Sequence, residues 1–135
     1  MKKEDLNLAE SLLNLLEFKT IADECGNEFV VYKSSNITEI KDIEDKTAFE
    51  ALENHVHIFD NLTKCQKESA VDFSKRIGKL LLDNLSYKFP HKQFVVFVTI
   101  NTSVIIRFHQ KWENEPWYYI TDEKYDGTEL IWFDN

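Results

Sequence analysis

The 135-residue chain has the length of one domain, spanning 1–135, and buries roughly two thirds of the surface its unfolded form exposes, enough for one hydrophobic core without staples. Its 43% hydrophobic and 13% aromatic content, with three glycines and two prolines, excludes a low-complexity, collagen-like or linker sequence. The formal net charge of −8 falls on residues 1–60, which hold 14 acidic and 6 basic side chains against 10 of each in residues 61–135; such a field repels phosphate backbones and anionic membranes, and it speeds encounter with a basic protein.

Leu6, Ala9, Leu12, Leu13 and Leu16 fall at helical spacing behind Glu4 and Asp5, whose charges suit a helix N-terminus, and predict a first amphipathic helix. Cys25-Gly26-Asn27 is turn chemistry between Phe18–Ala22 and Glu28–Tyr32, which together predict a hairpin. Ser34 to Asp45 is polar and irregular, and Thr47 to about His57 is expected to form a helix that buries Ala48, Leu52, Val56 and part of Phe49. From Lys67 to Ser86 the apolar set Ala70, Phe73, Ile77, Leu80, Leu81 and Leu85 steps by three or four, the clearest helix in the chain, and Phe89-Pro90 closes it.

Beyond Pro90 the period shortens to 2, and 12 of the 18 aromatics lie from Tyr87 onward, so the second half is expected to be a sheet. Phe94 to Ile100 reads as a covered central strand, joined through Asn101-Thr102-Ser103 to Val104–Gln110, with further strands at Trp117–Ile120 and Glu129–Phe133. The predicted class is α+β, with helices packed on one face of a mainly antiparallel sheet in the order αββααββββ. No run approaches 18 apolar residues, and Glu4, Asp5 and Glu10 interrupt any signal-like segment behind Met1-Lys2-Lys3, so the expected location is the cytoplasm. Cys25 and Cys65 lack CxxC or Cys/His spacing and read as buried or inert thiols.

Strand alternation divides the stretch from Val104 to His109. Val104, Ile106 and Phe108 are expected to face the helices, while Arg107 and His109 share the outward face, within reach of Trp112 and of Glu113 or Glu115. A catalytic reading makes His109 a general acid or base and Arg107 an anion clamp on a phosphorylated or nucleotide substrate. It lacks a nucleophile elbow, a paired carboxylate motif and a phosphate-cradling loop, so no catalytic residue is assigned. The structural alternative pairs Arg107 with a Glu across the sheet, and the recognition alternative makes Arg107, His109, Trp112 and Glu115 anchors for a partner.

His55-Val56-His57 with Asp60 is the one metal-like cluster. On a helix, residues two apart diverge by about 200°, and only an extended segment would bring both rings to one face. No metal and no cofactor is assigned. The acidic side chains of Glu39, Asp42, Glu44, Asp45, Glu50 and Glu53 form either a solvated face or a surface complementary to a basic protein.

Tyr87-Lys88-Phe89-Pro90, Phe94-Val95-Val96, Ile105-Ile106-Arg107-Phe108-His109 and Glu115-Pro116-Trp117-Tyr118-Tyr119 together resemble a pattern met among small bacterial immunity proteins of contact-dependent or polymorphic toxin systems. The resemblance covers about the last 50 residues. It implies a non-enzymatic cytoplasmic inhibitor that binds a cognate protein toxin, such as a nuclease, and occludes its active site. The contacts would divide between an acidic steering stretch, Glu39 to Glu53, and an anchoring face bearing Arg107, His109, Trp112 and Glu115. No direct nucleic acid or membrane partner is expected, and a regulatory homodimer through exposed aromatics is the further alternative.

Overall fold

A computed structural model describes residues 3–118 and 128–135. Their elements run α1 (Lys3–Asn14), β1 (Phe18–Ala22), β2 (Glu28–Tyr32), α2 (Lys46–Glu53), β3 (His55–Phe59), α3 (Lys64–Lys88), β4 (Phe94–Ile100), β5 (Val104–Gln110) and β6 (Glu129–Asp134). The fold is α+β, as the change of hydrophobic period predicts. β1 and β2 form a two-stranded antiparallel ribbon, and a second, fully antiparallel sheet has the order β3-β5-β4-β6.

The first hairpin turns because Asp23 organises it: its Oδ1 accepts the backbone N–H of Cys25 and of Asn27, and Gly26 takes the left-handed φ of 85° that the turn requires. β1 and β2 have the predicted boundaries. β4 is buried along its whole length because both faces are covered, which is why it reads as an unbroken apolar run.

One face of the larger sheet carries Val96, Val98, Ile100, Val104, Ile106 and Phe108, and α3 covers it with Ala70, Ile77, Leu81 and Leu85. Each such Leu or Ile contributes roughly 1.5–3 kcal/mol by leaving water. α3 lies close enough to β6 that a Cβ on Gly78 would come within 2.5 Å of the Phe133 ring. The long helix extends a few residues beyond its predicted ends, and Gln66 accepts the Thr63 N–H at its start. Leu80 is about half exposed rather than part of the core, and Ser74 and Gly78 take buried positions instead.

Two predicted faces are corrected. Along α1 and the turn that follows it the packed line is Leu8, Leu12 and Leu15, whereas Leu6, Leu13 and Leu16 stay exposed, so the helix is rotated from the face that five apolar residues suggest. The expected helix Thr47–His57 stops at Glu53, and His55–Phe59 is instead the strand β3, paired with β5. Asn54 terminates the helix with its N–H on the Glu50 carbonyl, and β3 gains ladder bonds by pairing with β5, with a register shift between His57 and Phe59, which outweighs another helical turn. The order is therefore αββαβαβββ among the described residues. Of the strand expected at Trp117–Ile120, Trp117 and Tyr118 are outside any strand, and the other two residues lie outside the described set.

Candidate functional site

α2 buries a polar stripe. Thr47, Glu50, Ala51 and Asn54 are spaced i, i+3, i+4, i+7 and face inward, while Leu52, expected in the core, is exposed. The physical cause is the backbone they meet. β2 presents an unpaired edge there, and the last residues of β5 extend past the end of β3, so N–H and C=O groups on both need partners.

Asn54 receives the Tyr32 N–H on its Oδ1 at 3.3 Å and donates from Nδ2 to the Val30 carbonyl at 2.8 Å. Its own carbonyl accepts the Phe108 N–H. Glu50, fully buried, accepts four hydrogen bonds: Oε1 from the Gln110 N–H and the Trp112 indole N–H, Oε2 from the Val30 N–H and the Gln110 amide. Burial pushes its carboxyl above the ordinary range, and the hydrogen bonds from Gln110, Val30 and Trp112 pull against that. Glu50 and Asn54 thus join the two sheets as side-chain substitutes for a missing strand.

Glu115 does the corresponding work at the start of α2. Trp112 to Glu115 forms a turn with Asn114 at a φ of 64°, and the Glu115 carboxylate accepts the N–H groups of Lys46 and Thr47 and the Thr47 hydroxyl. Lys46 Nζ pairs with it at 3.2 Å. Partial burial would raise this carboxyl, but the bonds from Thr47 and Lys46 prevail and hold it below the usual range. Asp45 completes the helix start by accepting the Ala48 N–H. Trp112 packs on Phe29, with Lys46 Nζ 5.5 Å from the centre of its ring.

His109 does not share an open face with Arg107. It is fully buried, and both ring nitrogens are engaged: Nδ1 lies 2.7 Å from the Gln110 carbonyl, and Nε2 accepts the Tyr118 N–H at 3.1 Å. This bonding is that of a neutral ring with its proton on Nδ1, and burial holds its pKa below the ordinary value. The cause of the difference from sequence expectation is the segment after β5, which folds back so that Tyr118 covers the strand's second face.

Arg107 remains half-buried on that face, and its neighbours in register are His55 on β3 and Phe97 on β4. The cross-strand Glu pairing considered for it is absent: no acceptor among the described residues takes a hydrogen bond from the guanidinium, and Nε is sealed from water without a partner. Its Cζ lies 5.9 Å from the Phe97 ring centre. Phe97 in turn stacks on Trp132 at 4.8 Å and meets Tyr118 at 5.8 Å, and Trp117, 44% exposed, lies 6.1 Å from Trp132. An aromatic platform with two cations against it results, Arg107 over Phe97 and Lys111, whose Nζ lies 5.6 Å from the Trp117 ring centre. Arg107 stands out in the sequence, whereas Phe97 and Trp132 carry only the period of 2 in β4 and β6 as a signal.

The expected binding residues therefore separate. Glu50 is in the core, Glu115 and Trp112 build α2, and Glu53 accepts the Ser35 hydroxyl beside β2. Glu39, Asp42 and Glu44 are exposed, with Glu39 paired to Lys41 at 3.4 Å. Cys25 and Cys65, expected to be buried or inert, are both exposed free thiols. Surface concavities occur elsewhere, one of about 340 Å³ beside Phe59, Leu62 and Phe73. No helix among the described residues is long and apolar enough to cross a membrane.

Searches of curated proteins and of solved structures find no match. A family profile described as "Uncharacterized protein PM0498 family" matches residues 1–132, and the chain belongs to that family.

Proposed function

We propose that this chain is a cytoplasmic immunity-type binding protein that engages a cognate protein toxin and neutralises it by occlusion, without chemistry of its own. The observation that carries the reading is Arg107. A half-buried guanidinium with no acceptor among the described residues, held over Phe97 beside Trp132 and Trp117, has paid its ordering cost before any partner arrives. Arg and Trp in such partly desolvated positions are the side chains that most often anchor protein interfaces, and a partner carboxylate would pair with the terminal guanidinium nitrogens, which are not sealed as Nε is.

The exposed acidic side chains of Glu39, Asp42 and Glu44 suit steering rather than anchoring. Charges in a solvated loop act over a Debye length of about 8 Å at physiological salt and change association rate more than final affinity. A basic toxin domain, such as a nuclease, is the partner class favoured by the −8 charge. The competing enzymatic reading needs a free ring nitrogen on His109, and both are occupied.

The test is to identify a toxin domain in the gene neighbourhood, mix it with the purified chain, and follow complex formation and residual toxin activity. The reading expects a stoichiometric complex in which activity is lost and in which association slows as salt rises. An active toxin that neither binds nor loses activity removes it.

A further inference from the structure

The register of β3 places His55 and His57 on the same face of the sheet, because residues two apart on a strand point the same way. Both rings are exposed, and their centroids are 5.7 Å apart. Each ring is fixed through Nδ1: that of His55 lies 2.6 Å from the Leu52 carbonyl, and that of His57 lies 3.1 Å from Asp60 Oδ1. With oxygen acceptors at Nδ1, the proton resides there and the lone pair on Nε2 stays available, and neither Nε2 has a partner among the described residues. This is the arrangement in which an outer carbonyl or carboxylate sets the tautomer of a metal-ligating histidine.

We propose that His55 and His57 form a two-imidazole chelate for a divalent transition-metal ion such as Zn²⁺ or Ni²⁺, with water or a donor from a partner in the remaining positions. The separation of the rings fits. With a metal–nitrogen distance of about 2.0–2.1 Å, and roughly 1.1 Å more to each ring centre, two imidazoles on one tetrahedral ion have centroids about 5.2 Å apart. The observed spacing exceeds this by 0.5 Å, within reach of small side-chain rotations. The nearby cation is turned away: β5 lies between β3 and β4, and the Arg107 guanidinium leans over Phe97 on the β4 side. Among the described residues no group of three or more His, Cys, Asp or Glu side chains converges, so the chain itself supplies two ligands and Asp60 serves as the orienting group. Imidazole nitrogen pairs select zinc, nickel and copper over magnesium and calcium.

The experiment is calorimetric titration of the full chain, with the exposed Cys25 and Cys65 replaced by serine so that thiols do not compete. Zn²⁺ and Ni²⁺ are the probes, and Mg²⁺ is the comparison. Saturable one-to-one binding of Zn²⁺ and Ni²⁺ is expected, abolished by His55→Gln or by His57→Gln and weakened about 10–100-fold by Asp60→Ala. Proton NMR should show the His55 and His57 ring signals moving first. Absence of saturable binding, or binding that persists unchanged in both histidine variants with their circular dichroism intact, overturns the proposal.

Discussion

Replacing Glu50 by alanine removes the acceptor for four N–H donors at once: the backbone groups of Val30 and Gln110, the Gln110 amide and the Trp112 indole. The two side-chain donors sit on movable groups and can find water after modest rearrangement. The two backbone donors belong to β2 and β5, and nothing else in the described structure reaches them. At about 1–3 kcal/mol for each buried donor left without a partner, the loss is about 2–6 kcal/mol, a large fraction of the ~5–15 kcal/mol that holds a domain of this size. Glu50→Gln keeps the shape but turns an NH2 group toward two of the donors, so it should cost more than about 1 kcal/mol and less than the alanine variant. The assay is urea unfolding followed by circular dichroism, with tryptophan emission as a local report on Trp112, expected to shift to longer wavelength in the native variant. A Glu50→Ala protein within about 0.5 kcal/mol of the parent would refute the account of Glu50 as the joint between the sheets.

Other consequences follow from the same packing. His109 is held neutral in the fold and titrates near 6.5 when unfolded, so its contribution to stability should be flat above about pH 6.5 and fall on acidification by up to about 1.4 kcal/mol per pH unit until the folded ring protonates. His109→Asn should start lower and lack that slope, as equilibrium unfolding between pH 7.5 and 5 would show. Glu115→Ala strips the start of α2 of its carboxylate and should cost about 1–2 kcal/mol, measured by thermal or urea unfolding. Because Glu115 is held below its ordinary range, its contribution is present above about pH 4.5 and disappears as pH falls. Gly78→Ala drives a methyl group to 2.5 Å from the Phe133 ring and should cost about 1–3 kcal/mol despite alanine's better helix propensity; a stabilised variant would mean that α3 and β6 are less closely packed.

Much of the fold is legible in the sequence because apolar periodicity reports burial directly. The hairpin, α3 and the β4–β5 pair all have that signal, and Val104, Ile106 and Phe108 occupy the core face that alternation assigns them. α2 escapes this logic. Its buried stripe is polar, since it substitutes for strand partners, so counting apolar residues turns the helix by the wrong angle and buries Leu52. The strand His55–Phe59 is hidden for a related reason: five residues with two exposed histidines carry too few apolar positions to tell a period of 2 from the tail of a helix. Alternation also places His109 opposite the core trio, but a period cannot foresee that the chain folds back and seals it beneath Tyr118. Arg107 was legible as a candidate. That it has no acceptor among the described residues could emerge only from the register, which sets it beside His55 and Phe97 rather than a glutamate.

The most direct test of the binding account is the affinity of Arg107→Ala for a toxin domain that the parent protein neutralises, measured by calorimetry against the parent. If Arg107 over Phe97 is the anchor, dissociation should quicken and affinity should fall by about 2 kcal/mol or more, some 30-fold, while urea stability changes little. An unchanged affinity in a correctly folded Arg107→Ala protein would contradict the claim that this face of the sheet is where the partner binds.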